Sequence, residues 1–526
     1  MAFLGLALVP LLLLSLASTS SSCTELEKGS LLRFLAGLSR DNGLAASWQN
    51  GSNCCKWYGI TCSGNGTVAE ISLASRGLEG RLSPSLGNLT DLRHLNLSRN
   101  SLSGDLPSEL LASSSIAVLD VSFNHLSRVL QHQRELNSSV PLQVLDISSN
   151  LFVGEFPSTV WEKKSNLVML NASNNSFQGR MPASFCISSP SLAVLDLCHN
   201  QFSGSIPEGL GKCSALRVLK AGHNNLSDEL FDASSLQHLS FQQNNLEGIL
   251  DGAKIINLRN LVVLDLARNS FTGRIPDSIG HLKRLEEFHL DDNLMYGELP
   301  STLSKCTNLI TIDLKHNNFS GQQSTLINLK TLDLLQNRFT GKIPESIYSC
   351  NNMIAPRLSN NRLHGQLSPG VGNMKSLVFL SLASNYFSDI RNTLHIPKNL
   401  KNLTYLLIGN NFKGEVTPQH QTIDGFQNLQ VLSIVGCSLS GNIPHWLSKL
   451  RNLEMLFLHN NNLSGTIPPW IKSLELLFYL DISNNSLTGE IPVALMAMPL
   501  LKTPETANHF QPGQFELTVY IDSSLQ

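Results

Sequence analysis

The sequence predicts an α/β repeat solenoid whose short parallel strands form one continuous sheet on a concave face. Three observations carry that expectation. The pattern LxxLxLxxNxL/FxGxIP returns along the chain, as in LRHLNLSRNSLSGDLP, LVVLDLARNSFTGRIP and LFYLDISNNSLTGEIP. Its Asn-type position can be placed eighteen times between Arg76 and Asn485, with most intervals of 24 to 26 residues. At 526 residues the chain also exceeds what one ordinary core accommodates, which favours an array of stacked units.

The first element is an apolar run over 3–17 followed by small residues, which reads as a signal peptide occupying 1–22. It is shorter than the roughly 20 apolar residues a spanning helix needs. Every later Leu-rich segment is broken by Asn, Ser, Gly or Asp, so no membrane span is expected. Twelve Asn-x-Ser/Thr sequons fit a secreted glycoprotein. The expected acceptors are Asn50, Asn65, Asn88, Asn137, Asn225, Asn318, Asn402 and Asn462, whereas Asn96 and Asn171 fall within strand segments that leave a glycan little room.

Residues 23–66 follow as a cap. An amphipathic helix over 25–38 leads into SWQNGSNCCKWYGITCSG. With Cys54, Cys55 and Cys62 beside Trp48 and Trp57, this segment resembles the N-terminal cap of plant leucine-rich-repeat receptors, and Cys23 is the natural fourth sulfur. The resemblance implies two disulfides that staple the cap. Four cysteines admit three pairings; the adjacent Cys54 and Cys55 are given different partners, and Cys55 with Cys62 is favoured. Cys186, Cys198, Cys213, Cys306 and Cys350, scattered through the repeats, are expected as free buried thiols.

Residues 67–498 hold the repeats. In LxxLxL the alternating apolar side chains of a short strand face the core and the residues between them face outward. A single repeat cannot bury its apolar face, so neighbours must stack. The Asn after each strand both donates and accepts, which suits it to bonding the buried turn backbone from one repeat to the next. Cys437 takes one of these positions and Arg76 another, the latter at the edge of the array. Gly four residues on turns the chain, and a following Pro such as Pro276, Pro344 or Pro492 fixes an extended segment. Two intervals, between Asn224 and Asn244 and between Asn317 and Asn337, are only 20 residues and should thin the outer wall.

After Asn485 the pattern gives way at 499–526 to KTPETANHFQPGQFELTVYIDSSLQ and its flank, in which 515–521 alternates like a strand. Cap, repeats and this non-repeat segment together resemble the ectodomain of the phytosulfokine, or tyrosine-sulfated-peptide, receptor group: a plant-type leucine-rich-repeat superhelix. That resemblance implies an island segment packed against the concave face and a peptide hormone added beside it as a strand. The group continues into further repeats, a membrane helix and a Ser/Thr kinase, so this chain is expected to be a partial ectodomain, not itself an enzyme. A co-receptor kinase with leucine-rich repeats becomes a possible partner, and the location is the secretory pathway and the outer face of the plasma membrane.

The ligand strip implied by the resemblance lies on outward strand positions: Lys315, Arg357, Ser381, Leu407, Gly409, Phe457 and His459, with Phe515 and Tyr520 on the island edge. Lys315 or Arg357 is the expected partner of a sulfate, because a fixed cation suits an anion taken from water. Asp120, Asp146, Asp196, Asp265, Asp313, Asp333 and Asp481 form a file of acids that the LDL strand pattern explains, spread over separate repeats. No HExxH pair and no phosphate-binding Gly loop occurs, so neither metal nor cofactor is expected. With 38 Lys+Arg against 40 Asp+Glu, no field draws the chain to nucleic acid. The alternative function is a soluble decoy or inhibitor of another protein, similar to polygalacturonase-inhibiting repeat proteins.

Overall fold

The computed structural model describes residues 23–498, apart from 131–140, 158–165, 183, 229–233, 322–325, 327, 397–399, 420–422, 424 and 497. The expected leader at 1–22, the segment 499–526 with Phe515 and Tyr520, the expected acceptor Asn137 and the shortened parts of the two 20-residue intervals lie outside the described residues. The chain divides into two compact units, 1–176 and 177–526.

In the first unit, helix Glu25–Ala36 opens with a capping box. The Thr24 hydroxyl accepts from the Glu27 amide, and the Glu27 carboxylate accepts from the Thr24 amide. The helix stops before the expected 38 because Gly37 caps it and Leu38–Arg40 leaves as a strand antiparallel to Glu79–Arg81. Trp48 stacks on Trp57 at 5.5 Å and touches Phe34 at 6.1 Å, all three buried. Disulfides join Cys23 to Cys54 and Cys55 to Cys62. From this cap Ile60–Cys62 pairs antiparallel with Val68–Ser72, which starts a parallel sheet through His94–Asn96, Val118–Asp120, Val144–Asp146 and Met169–Asn171. Ile71, Leu95, Leu119, Leu145 and Leu170 stand in one register row, and all are buried.

The second unit repeats this plan from Val194–Asp196 to Tyr479–Asp481, one short strand per repeat. Leu195, Leu219, Leu239, Leu264, Phe288, Ile312 and Leu332 continue an inward row. A second set of short parallel strands follows most of these Asn residues, for instance Arg338–Gly341 paired with Arg362–Gly365. Many return segments are 3₁₀ turns that follow a Pro, such as Asp277–His281 and Ser301–Lys305, and others are single α-helical turns such as Ser108–Leu111 and Gly252–Ile255. Cys186 and Cys213, expected as free thiols, are bonded to each other because stacking sets the return segments of successive repeats side by side, at a Cα separation of 5.3 Å. Cys198, Cys306, Cys350 and Cys437 are free and buried.

The Asn ladder is built as its chemistry requires. Asn361 donates to the carbonyls of Leu334, Leu358 and Ser359 at 2.8, 3.2 and 3.1 Å, and its oxygen accepts from the Phe339 amide. Cys437 preserves part of this pattern, its thiol lying 3.4 Å from the Val435 carbonyl. The residue before the Asn was not anticipated as a turn position, yet it is left-handed throughout: Arg99, Asp292, His316, Gln336 and Asn360 have φ of 52 to 56°. Such a conformation costs a non-glycine residue about 1–2 kcal/mol. The offset is a backbone bond into the next repeat, as from the Gln336 amide to the Ser359 carbonyl at 3.0 Å. Asp389 occupies a Gly position at φ 63°. It is held there by its cap on helix Ile390–His395 and by the Glu415 carboxylate, which accepts from its amide at 2.7 Å.

Candidate ligand-binding surface

Strand alternation sends every second side chain away from the core. In the second unit this produces a register row of Asp265, His289, Asp313, Asp333, Arg357, Ser381, Leu407, Ser433, Phe457 and Asp481. The row divides into a charged part and an uncharged part.

In the charged part three acids of the strand file, Asp265, Asp313 and Asp333, interact with one another and with Asp291 although they belong to separate repeats, whereas Asp120, Asp146, Asp196 and Asp481 stay apart from them. Residues distant along the chain become neighbours when their strands lie roughly 4.8 Å apart. Lys315 Nζ lies 2.7 Å from Asp313 Oδ2 and 3.4 Å from Asp291 Oδ2. Arg357 Nη1 donates to Asp333 Oδ2 at 2.7 Å. Donor atoms of His289, Asp291 and Asp313 lie within 4.8 Å of one another. Burial and the repulsion of Asp313 push Asp333 up to about 7 against the pull of Arg357, and the same two causes push Asp291 up to about 6 against Lys315. Burial pulls His289 down, but Glu287, Asp265, Asp313 and Asp291 outweigh it and hold its imidazole above the usual range. Lys315 and Arg357 are therefore committed to buried carboxylates and are not solvated cations.

The uncharged part is aromatic. Phe379, Tyr405, Val431, Met455 and Tyr479 form a second register row beside Leu407 and Phe457. Phe379 lies 5.8 Å from Tyr405, and Phe457 lies 5.0 Å from Tyr479 and 6.5 Å from His459. His459 Nδ1 reaches Asp481 Oδ2 at 2.9 Å and closes the far end. Leu407, Phe457 and His459 stand half-exposed here. Ser381 and Gly409 offer less than expected: Ser381 is buried on the Ser359 hydroxyl, and Gly409 is buried where a Cβ would sit 2.8 Å from the Val435 carbonyl. Tyr405 and Tyr479 were missed by attending only to outward positions that follow the second Leu of LxxLxL; the residue before that Leu faces outward as well. Of the expected glycan acceptors in the described residues, Asn318 is half-buried and the others are exposed.

Comparison with known proteins bears on this surface. Residues 25–63 match the Leucine rich repeat N-terminal domain, and Leucine rich repeat families match 427–487 together with 91–112, 191–213, 260–282 and 328–350. The chain is a leucine-rich-repeat protein. Phytosulfokine receptor 2 of Arabidopsis thaliana is 50% identical over 74 residues, covering 14% of this chain and 7% of the receptor. Phytosulfokine receptor 1 of the same plant is 35% identical over 166 residues, covering 27% and 16%. Receptor-like kinase TMK4 is 34% identical over 294 residues, covering 55% and 31%. The chain thus spans less than a third of the length of these relatives. The crystal structure of PEPR1–AtPEP1 superposes with a TM-score of 0.65 at 26% identity, covering 90% of this chain and 77% of that one. The receptor kinase HAESA, solved with the peptide hormone IDA and the co-receptor SERK1, gives 0.62 at 28% identity, covering 90% and 92%. Among the described residues no helix is long and apolar enough to cross a membrane.

Proposed function

We propose that this chain recognises an extended peptide outside the cell, acting as the ligand-binding part of a leucine-rich-repeat receptor. The observation that carries the proposal is the aromatic run on the outward sheet face, where half-buried Tyr405, Phe457 and Tyr479 line a strip backed by the buried Phe379. Aromatic anchors of this kind dominate the energetics of peptide interfaces. The similarity to the receptor kinase HAESA, solved with the peptide hormone IDA, supports the same reading.

Peptide-library selection on the secreted chain, followed by titration of a selected peptide, tests it. Tyr405→Ala and Phe457→Ala should each weaken binding by about tenfold or more, as hot-spot truncations do. Tyr296→Ala, on an outer strand, should leave binding unchanged. Equal affinity in all three variants would remove the strip from the interface.

Within the same proposal, 499–526 supplies an edge strand through Phe515 and Tyr520, and a co-receptor joins the occupied complex. Deleting 502–526 should then weaken the peptide. A tyrosine-sulfated ligand is the narrower reading. It requires the sulfate to compete with Asp313 and Asp291 for Lys315, or with Asp333 for Arg357. Sulfated and unsulfated forms of one peptide separate the cases, and equal affinity would assign the sulfate no role.

A further inference from the structure

On the side of the second unit where the chain enters its strands, alongside the aromatic strip at Tyr405, lies a polar groove of about 390 Å³. Its volume falls in the roughly 300–1,000 Å³ range of ligand sites. One wall is a row of amides at equivalent repeat positions. Asn402 donates to the Lys375 carbonyl at 3.0 Å, Asn428 to Lys401 at 2.7 Å and Asn452 to Gln427 at 2.7 Å. The floor carries Gln430 and Glu454, both half-buried, whose side chains have no hydrogen-bond partner among the described residues. Leu476 adds an apolar patch, 43% exposed, at one end. Amides and a carboxylate for hydroxyl groups, beside an apolar contact, make a lining suited to a sugar.

Asn402 is both a wall residue of this groove and the first residue of the sequon Asn402-Leu403-Thr404, and it is exposed. We propose that the groove seats the first sugars of the chain's own N-glycan, attached at Asn402. Transfer from a lipid-linked oligosaccharide diphosphate replaces one Nδ2–H by a bond to the anomeric carbon; the proton and the lipid diphosphate leave. The second Nδ2–H remains, so the bond to the Lys375 carbonyl is compatible with the modification and fixes the direction in which the sugar departs. Gln430 and Glu454 then hydrogen-bond its hydroxyl and acetamide groups. The inference is independent of which peptide the aromatic strip binds.

The test uses the full chain secreted from a eukaryotic host. Glycopeptide mass spectrometry should find Asn402 occupied. Peptide N-glycosidase acting on the folded protein should release that glycan about tenfold more slowly than the glycan at exposed Asn462, the factor expected of a seat worth about 1.4 kcal/mol. The double variant Gln430→Ala/Glu454→Ala retains the sequon and should remove the difference. An unoccupied Asn402, or release at the same rate as at Asn462, overturns the proposal. So does binding of free chitobiose to the groove in the glycosylated wild-type chain, which would make it a site for an external saccharide.

Discussion

Removing the Arg357 guanidinium should destabilise the second unit strongly at high pH and weakly at low pH. Asp333 is 0% exposed, and Arg357 Nη1 lies 2.7 Å from its Oδ2. Arg357→Ala leaves that carboxylate buried beside Asp313 without its cation, a situation that costs about 3–5 kcal/mol when the acid is ionised. Asp333 is pushed up to about 7, well above the roughly 3.9 of an unfolded carboxyl. A raised folded pKa favours the folded state fully below about pH 4, and that contribution is lost as pH rises through about 7. At pH 5 Asp333 therefore holds a proton in wild type and variant alike, and on its account the substitution forfeits only a hydrogen bond to a neutral partner, about 1 kcal/mol. Urea unfolding followed by tryptophan fluorescence at pH 5 and pH 8.5 measures both values. Arg357→Ala/Asp333→Asn should recover most of the loss at pH 8.5, since position 333 then carries no charge. A cost below about 1 kcal/mol at pH 8.5, or one independent of pH, would refute the buried-pair reasoning.

Three further outcomes follow from the fold. Asn361→Ala abandons three carbonyls and one amide and should cost about 3 kcal/mol, against about 1 kcal/mol for the left-handed but exposed Asn360→Ala, both read from urea midpoints. Asp389→Gly exchanges a helix cap for relief of its positive φ and should stay within about 1 kcal/mol of wild type, whereas Asp389→Ala loses the cap and keeps the strain, about 2 kcal/mol in thermal unfolding. In the cap, losing Cys23–Cys54, which spans 31 residues, should cost about 4 kcal/mol by loop entropy, and losing Cys55–Cys62, which spans 7, about 2.5 kcal/mol. Double Cys→Ser variants compared by calorimetry check the order.

The fold was legible because each repeat restates the same local rules: alternating Leu, an Asn for the turn backbone, then Gly and Pro. Eighteen repetitions make register unambiguous, and the Asn361 ladder and the row of Leu195 to Leu332 follow directly. The left-handed position was illegible because no residue type marks it; Arg99, Asp292, His316 and Gln336 share no side-chain chemistry, and a backbone bond to the next repeat sets the conformation. The site was half legible. Alternation places Lys315, Arg357 and Phe457 outward, but whether a cation is available depends on the neighbouring strand, and only the assembled register sets Asp333 beside Arg357. The bond between Cys186 and Cys213 was hidden for the same reason: 27 residues in sequence is one repeat in space.

That unmarked left-handed position has a consequence for how such a surface diversifies. Had the turn required glycine, the rim beside the strands would be blank in every repeat. Because hydrogen bonding between repeats carries the strain, the rim displays any side chain at nearly constant cost to the fold. Neighbours along it already interact: His199 stacks on His223 at 3.8 Å, His316 meets Asp292 at 2.7 Å, and Asn410 donates to Ser384 at 3.1 Å. The scaffold thereby keeps a column of positions open to sequence drift, where new contacts for a ligand or partner can be tried one residue at a time without unfolding the repeats that present them.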